Sequence, residues 1–323
     1  MSSGHGARTS ATLVLLLGLS GCGADGAAPA PPAVCRAPDG GTCRTREVLD
    51  ANGCCVCPAE DALCKTGGFS HFTISNVAGS GLPNEVGYEA GDGVVTDRVT
   101  GLVWEAVASP ERMGWEEAKA RCAALELGGR DDFRLPGRIE LVTILDFAEV
   151  PVAASVFRDV VADYHFSSSP ASFVEGSAYS VYFGAGETTI ASASPGRAVA
   201  RCVAGSVPAP PAPQFEISAE GVLDRVTELL WEPRFAAPES FGAARARCEA
   251  LGMRLPSIRE LQSIVDENQH DPALDPAIFP EDGSERAWSA TLRGEDRWHV
   301  DFRDGKTYAD VFEDEELASR CVR

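Results

Sequence analysis

The chain has 323 residues, with 48 acidic against 28 basic side chains and a formal charge of −20. A surface of that sign repels polyanions, which excludes nucleic acid as an expected partner. Beyond the N-terminal leader, no apolar run is long enough to span a bilayer as a helix.

The first residues read as an address rather than as fold. Arg8 and His5 precede an apolar run from Ala11 to Leu19, and the run ends in Leu19-Ser20-Gly21-Cys22. That ending resembles the bacterial lipobox, in which the chain is cut before the cysteine and the new terminus carries the lipids. The expectation is a lipoprotein signal peptide over residues 1–21, lipidation at Cys22 and a membrane anchor supplied by the lipid alone; an ordinary secretory signal is the alternative. Gly23 follows the cysteine where an aspartate would retain the protein at the inner membrane. By resemblance to the sorting rule of Gram-negative lipoproteins, this favours the outer membrane or cell surface. Residues 22–34, rich in Pro and Ala, form an extended tether.

Cys35, Cys43, Cys54, Cys55, Cys57 and Cys64 crowd into thirty residues with few large apolar side chains. Such a stretch cannot build a core of useful size, so disulfides are expected to hold it, with a zinc site as the rival reading. Six cysteines allow fifteen connectivities, and the sequence does not choose among them. Once Cys22 is set aside the cysteine count is even, as expected in an oxidising compartment.

Two globular stretches follow, at 69–203 and 214–323, joined by a Pro-rich linker over 204–213. They are copies of each other. Val95–Glu105 (VTDRVTGLVWE) returns as Val222–Glu232 (VLDRVTELLWE), with eight of eleven positions identical. Trp115, Ala118, Cys122 and Leu125 recur at helical spacing, as do Phe241, Ala244, Cys248 and Leu251. Ser240 is placed to cap the second of these helices.

Arg134-Leu135-Pro136 and Arg254-Leu255-Pro256 then open a second helix, with Ser257 and Glu260 at capping-box spacing. Its core stripe is Leu141, Ile144 and Leu145, matched by Leu261, Ile264 and Val265. Tyr179, Val181 and Phe183 alternate along a strand, as do Trp298, Val300 and Phe302. Gly186 and Gly305 turn the chain, and Arg201-Cys202-Val203 and Arg320-Cys321-Val322 close the copies. The linker, with four prolines between Ser206 and Pro213, suggests a semi-rigid spacer. Each copy is therefore expected to fold alone, as one of two separate heads.

These motifs together, V-x-D-x-x-T-G-L-x-W, the cysteine helix, R-L-P-x-x-x-E-L, W-S-x-T and the terminal R-C-V-R, resemble the Lcl C-terminal domain family of bacterial surface proteins. The first copy departs from the pattern, with His165-Phe166-Ser167-Ser168 where the tryptophan motif belongs. The helix leading into R-L-P also looks like the C-type lectin-like fold. The resemblance implies α+β architecture: two tandem C-type lectin-like domains preceded by a small disulfide-rich module and a lipoprotein signal peptide. It also implies disulfides Cys122–Cys202 and Cys248–Cys321.

Catalytic motifs are not evident, and no metal ligands or cofactor are expected; the five histidines are scattered. Three readings stay open. One is a non-enzymatic, adhesin-like module recognising glycan, matrix or protein. The second is a structural envelope protein without a soluble ligand, and the third, remote, is an enzyme of the formylglycine-generating type. The sulfated polysaccharide suggested by the family's adhesin fits this charge poorly, because Asp301, Asp304 and Glu295 interrupt Arg293, Arg297, Arg303 and Lys306. The second copy keeps more of the motifs, so Trp298, His299, Asp301 and Arg303 are the candidate ligand-binding residues. His299 is expected on the solvated face of its strand, and the acidic stretch from Asp271 to Glu285 in a solvated loop. Oligomeric state is not legible.

The lipid anchor is directly testable. Cys22→Ser should move the protein from the membrane to the soluble fraction, read by fractionation and by the mass of the mature N-terminus. Unchanged partitioning with no lipid mass would refute it.

Overall fold

A computed structural model describes residues 48–49, 55–56, 70, 73–147, 156–157, 160–171, 173–206, 213–280, 285–312 and 314–323. The signal peptide, Cys22, the tether, most of the cysteine-rich stretch and the centre of the linker lie outside these residues. Within the cysteine-rich stretch, β1 (Val48–Leu49) pairs antiparallel with β2 (Cys55–Val56).

The repeated string of each copy is a hairpin with a helix locked onto it. In the first copy β3 (Tyr88–Gly91), β4 (Val94–Asp97) and β5 (Val103–Glu105) pair in sequence. In the second, β11 (Phe215–Ile217), β12 (Val222–Asp224) and β13 (Leu230–Trp231) do the same. The conserved Asp-Arg-Val-Thr is the turn between strands. Asp97 Oδ1 accepts from the Val99 amide at 2.8 Å, and Asp224 Oδ1 from the Val226 amide at 3.0 Å, an Asx-type turn. The turn ends in a left-handed residue, Gly101 at φ 73° in one copy and Glu228 at φ 61° in the other. The glycine carries that conformation without steric cost, whereas the glutamate does not.

The Trp-Glu that ends each string has two jobs. Trp104 and Trp231 are fully buried. Glu105 and Glu232 point the other way and receive an arginine from the first helix. In α1 (Trp115–Ala123) Arg121 donates to both carboxylate oxygens of Glu105. In α3 (Phe241–Ala250) Arg247 does so to Glu232 at 2.8 and 2.9 Å. The same carboxylates accept from the amides of Cys202 and Cys321, both at 3.1 Å. Beside these contacts run the disulfides Cys122–Cys202 and Cys248–Cys321, with Cα atoms 5.3 and 5.4 Å apart, paired as expected. Closing loops of 80 and 73 residues, each contributes on the order of 4 kcal/mol in the chain-entropy account. Leu251, expected on the buried face of α3, sits after its last residue and is exposed.

The R-L-P-x-x-x-E motif is also a single device. It leads into α2 (Arg138–Thr143) in the first copy and α4 (Ile258–Ser263) in the second. Arg134 grips Glu140 at 2.7 and 2.6 Å, and Arg254 grips Glu260 at 2.7 and 2.8 Å. Each glutamate also accepts from the amide of the residue preceding its helix, Gly137 at 2.7 Å and Ser257 at 2.8 Å. The motif therefore fixes the helix start by charge and by capping together.

The closing strands return to the hairpins. β10 (Val203–Ala204) lies between β5 and β6 (Phe133–Arg134), completing the order β3-β4-β5-β10-β6. Val322 bridges Trp231 and Arg254 in the same way. The remaining strands are β7 (Tyr164–Pro170), β8 (Ser177–Tyr182) and β9 (Glu187–Ser192) in one meander. The other copy has β14 (Ala236–Glu239), β15 (Arg286–Arg293), β16 (Asp296–Asp301), β17 (Lys306–Val311) and β18 (Leu317–Ser319), ordered β14-β18-β15-β16-β17.

The departure of the first copy from the tryptophan motif is compensated. Trp288 of β15 packs edge-on against Phe241 at 5.7 Å. In the first copy the two types change places, Trp115 opening α1 and Phe166 standing in β7, both in one cluster. Ser167 and Ser289 keep the same bond, each hydroxyl donating to the carbonyl of the next strand, Tyr179 or Trp298.

The expectation of two separate heads is corrected by the packing. One core contains Trp104, Leu141 and Phe183 of the first copy together with Trp231, Leu261 and Phe302 of the second. Polar bonds cross it. Arg138 donates to Glu267 at 2.8 Å and to Gln262 Oε1 at 3.2 Å, with Arg138 and Glu267 both out of solvent. Thr188 Oγ1 donates to the same Gln262 oxygen at 2.9 Å, and its amide donates to Thr307 at 2.8 Å. Tyr179 reaches the Asp304 carbonyl, and Trp298 the Phe147 carbonyl. From the other side Arg259 donates to the Leu145 carbonyl.

The prolines misled because a spacer sets only how far apart two units can drift, whereas apolar faces decide whether they dock. Within the second copy the packing is as close: Gly305 stands at φ 72°, and a Cβ there would lie 2.4 Å from Val265 just after α4. The stretch after Asp271 is corrected too, since Ala273, Leu274 and Phe279 are fully buried.

Two outcomes follow from this packing. Arg138→Ala should destabilise the protein by about 3–5 kcal/mol, and the double change Arg138→Met, Glu267→Leu should recover most of it, because it leaves no unpaired buried charge. Denaturant titration measures both. Glu228→Gly should stabilise by up to about 1 kcal/mol, whereas Gly101→Glu should destabilise.

Candidate functional site

The four candidate residues do not form a site. Trp298 lies in the seam between the copies, fully buried, its ring edge-on to Phe147 at 5.0 Å. His299 is not on a solvated face. It is 2 % exposed and stacks at 5.5 Å on Tyr308, its cross-strand partner on β17. Burial pushes its imidazole below the usual range, against the pull of Asp310, whose carboxylate is 3.7 Å away and too far for a hydrogen bond.

Asp301 is buried as well. Burial raises its carboxyl, but Arg303 overcomes this by hydrogen bonds from its amide at 3.0 Å and its Nε at 3.1 Å, and the net shift is downward. Of the four, only Arg303 reaches solvent freely. The neighbouring basic residues are bound locally. Arg293 donates to the Ala185 carbonyl, Arg297 to Glu295, and Lys306 pairs with Asp304. No open basic patch results here for a polyanion.

A pocket of about 410 Å³ lies elsewhere on the second copy. One wall is α3 with Arg245 and Glu249, and the base is Leu255 and Ile258 at the start of α4. The end of β15, Ala290 to Leu292, forms a second wall. The third comes from the start of the first globular stretch, ahead of the part that repeats. Val77 and Leu82 belong to an arm that crosses to the second copy, where Ser257 donates to Asn76 at 3.0 Å and Arg259 to the Ser75 carbonyl at 2.7 Å. Further back, the Ser70 amide donates to Ser263 at 3.1 Å, and Gln214 donates to the Ser70 carbonyl at 2.7 Å.

The walls are mainly hydrocarbon, with charge at particular points. Arg254 is held bidentately by Glu260. Among the described residues Arg245 meets only Glu249, at 3.5 Å, and both are about two-thirds exposed. A volume of this size, with few polar groups converging on apolar walls, is typical of small-molecule sites. Sequence reasoning missed it because one wall lies outside the repeat. The only signal was the alternation of apolar and polar residues in the arm, too short to assign.

Among the described residues no three His, Cys, Asp or Glu side chains gather as metal ligands. No helix among them is long and apolar enough to cross a membrane.

Comparison with known proteins agrees with the internal duplication. No curated protein sequence matches the chain. The family model of the Lcl C-terminal domain matches residues 93–204 and again 220–323. Both matches begin after the arm and end at the closing strands, so they enclose the turn, the Arg–Glu grips and the disulfide of each copy. The chain belongs to the Lcl C-terminal domain family and carries that domain twice.

Proposed function

We propose that this protein is a non-enzymatic, ligand-binding lipoprotein held by a lipid on Cys22 and displayed at the cell envelope. Its ligand is an external glycan, matrix component or protein. The observation that carries this reading is the pocket of about 410 Å³ beside α3 and β15. The copies share one core, so the ligand-binding unit is the pair.

We further infer a C-type lectin-like fold for each copy. The disulfide from the first helix to the closing strand supports it, as does the return of Val203 and Val322 beside the opening hairpin. The enzyme reading loses ground for a chemical reason: formylglycine-type chemistry needs a reactive thiol, and the four cysteines of the two copies are bonded in pairs. A structural envelope role remains the second reading, favoured by the extent of burial between the copies.

The test is a glycan and matrix-protein array probed with the full chain carrying Cys22→Ser, which needs no detergent. Saturable binding is expected, and Ala290→Trp, which fills the pocket from an exposed position, should abolish it. A silent array, or binding that Ala290→Trp leaves intact, would refute the pocket as the receptor.

A further inference from the structure

The pocket also carries a statement about what enters it, which rests on the ligand-binding reading above. Its apolar lining includes Val77 and Leu82 from the arm, Leu255 and Ile258 from the base, and Ala290 and Leu292 from β15. The neutral polar lining is engaged within the protein: Ser257 with Asn76, Thr291 with the Ile258 amide and Ser80 with the Leu82 amide. A bare sugar offers hydroxyl groups on every side, and hydrocarbon walls would leave them without hydrogen bonds at a cost of about 1–3 kcal/mol each. An apolar body loses nothing there and gains from leaving water.

The charge at the pocket points the same way. The chain has 48 acidic and 28 basic residues, yet the lining has Arg245, Arg254 and Arg259 against Glu249 alone. Two of the three arginines are committed. Arg254 is neutralised by Glu260, and Arg259 is buried, donating to Ser75 and Leu145. Arg245 is different, exposed and, among the described residues, in contact only with an equally exposed Glu249 at 3.5 Å. An exposed pair of this kind contributes little, so the guanidinium can turn to a ligand at small cost. Its planar fork matches a carboxylate.

We propose that the pocket binds a small amphipathic monoanion, with its apolar body against the arm and β15 and its carboxylate at Arg245. The volume suits one group of that kind, free or carried by a larger external ligand. The arm supplies one of the walls through Val77 and Leu82, which assigns it to the receptor and not to a linker.

The experiment uses the full chain carrying Cys22→Ser and isothermal titration with dodecanoate below its aggregation limit. Dodecanol, of equal chain length and no charge, is the comparison, and anionic phospholipid vesicles form a third arm. Dodecanoate should bind at one site, about three- to fivefold more tightly than dodecanol. Arg245→Gln should weaken dodecanoate about three- to fivefold and leave dodecanol unchanged. Ala290→Trp should abolish both, and Leu292→Asp provides a second block should the tryptophan perturb folding, which thermal melts would show.

Equal affinity for dodecanol, an unaffected Ala290→Trp variant, or binding to vesicles but not to free dodecanoate would overturn the proposal. No binding of dodecanoate together with an array ligand blocked by Ala290→Trp would overturn the ligand class and leave the receptor reading standing. Silence in both would sink both.

Discussion

A helix six residues long has too little surface of its own to be buried on every side by one small repeat, yet α2 and α4 are so buried. All six residues of α2 are out of solvent, and all six of α4. Each can be covered only if the other copy supplies the missing wall. The buried polar side chains at this contact are chosen accordingly. Arg138 reaches from α2 to Glu267 and Gln262, and Arg259 reaches from α4 to Leu145 and Ser75. The two arginines are not equivalents. Arg138 aligns with Ile258 and Ile139 with Arg259, so the polar and apolar residues have exchanged neighbouring positions. The contact is therefore asymmetric, which favours this one pairing over two first copies or two second copies meeting each other.

The pocket depends on the same constraint. α4 is held from behind by the first copy, and its opposite end is met by the arm that precedes the repeated part of that copy. The arm can reach the second copy only because the two are docked, with Gln214 bonding Ser70 at the point where the linker delivers the chain. Repeat, arm and linker thus build one binding unit. A display of two independent heads would have left the arm without a surface.

Much of this was legible in the residues, because local devices leave local signatures. R-L-P-x-x-x-E announces an arginine–carboxylate grip joined to a helix cap, and both copies show it. The disulfides followed from the family resemblance. Docking was not legible. The strand Trp298-His-Val-Asp-Phe reads as one buried and one wet face, but β17 and the turn at Arg303 cover the second face. An aspartate with a private arginine can be buried, and a histidine can stack on a tyrosine, and their letters do not reveal it. The arm was hardly more legible, since it lies outside the repeated part and its alternation is short. A usable hint did exist in Arg138 and Arg259: a charge inside a helix that is otherwise core needs a partner from elsewhere.

The central claim is that the two copies are one cooperative unit, and native-state hydrogen exchange tests it most directly. Glu267→Ala lies in the second copy and strips Arg138 of its carboxylate. The account predicts that the slowest-exchanging amides of both copies, among them Trp104 and Val203 in the first and Val300 and Val322 in the second, lose protection by the same free energy. Loss confined to the second copy, with Trp104 and Val203 unchanged, would contradict it.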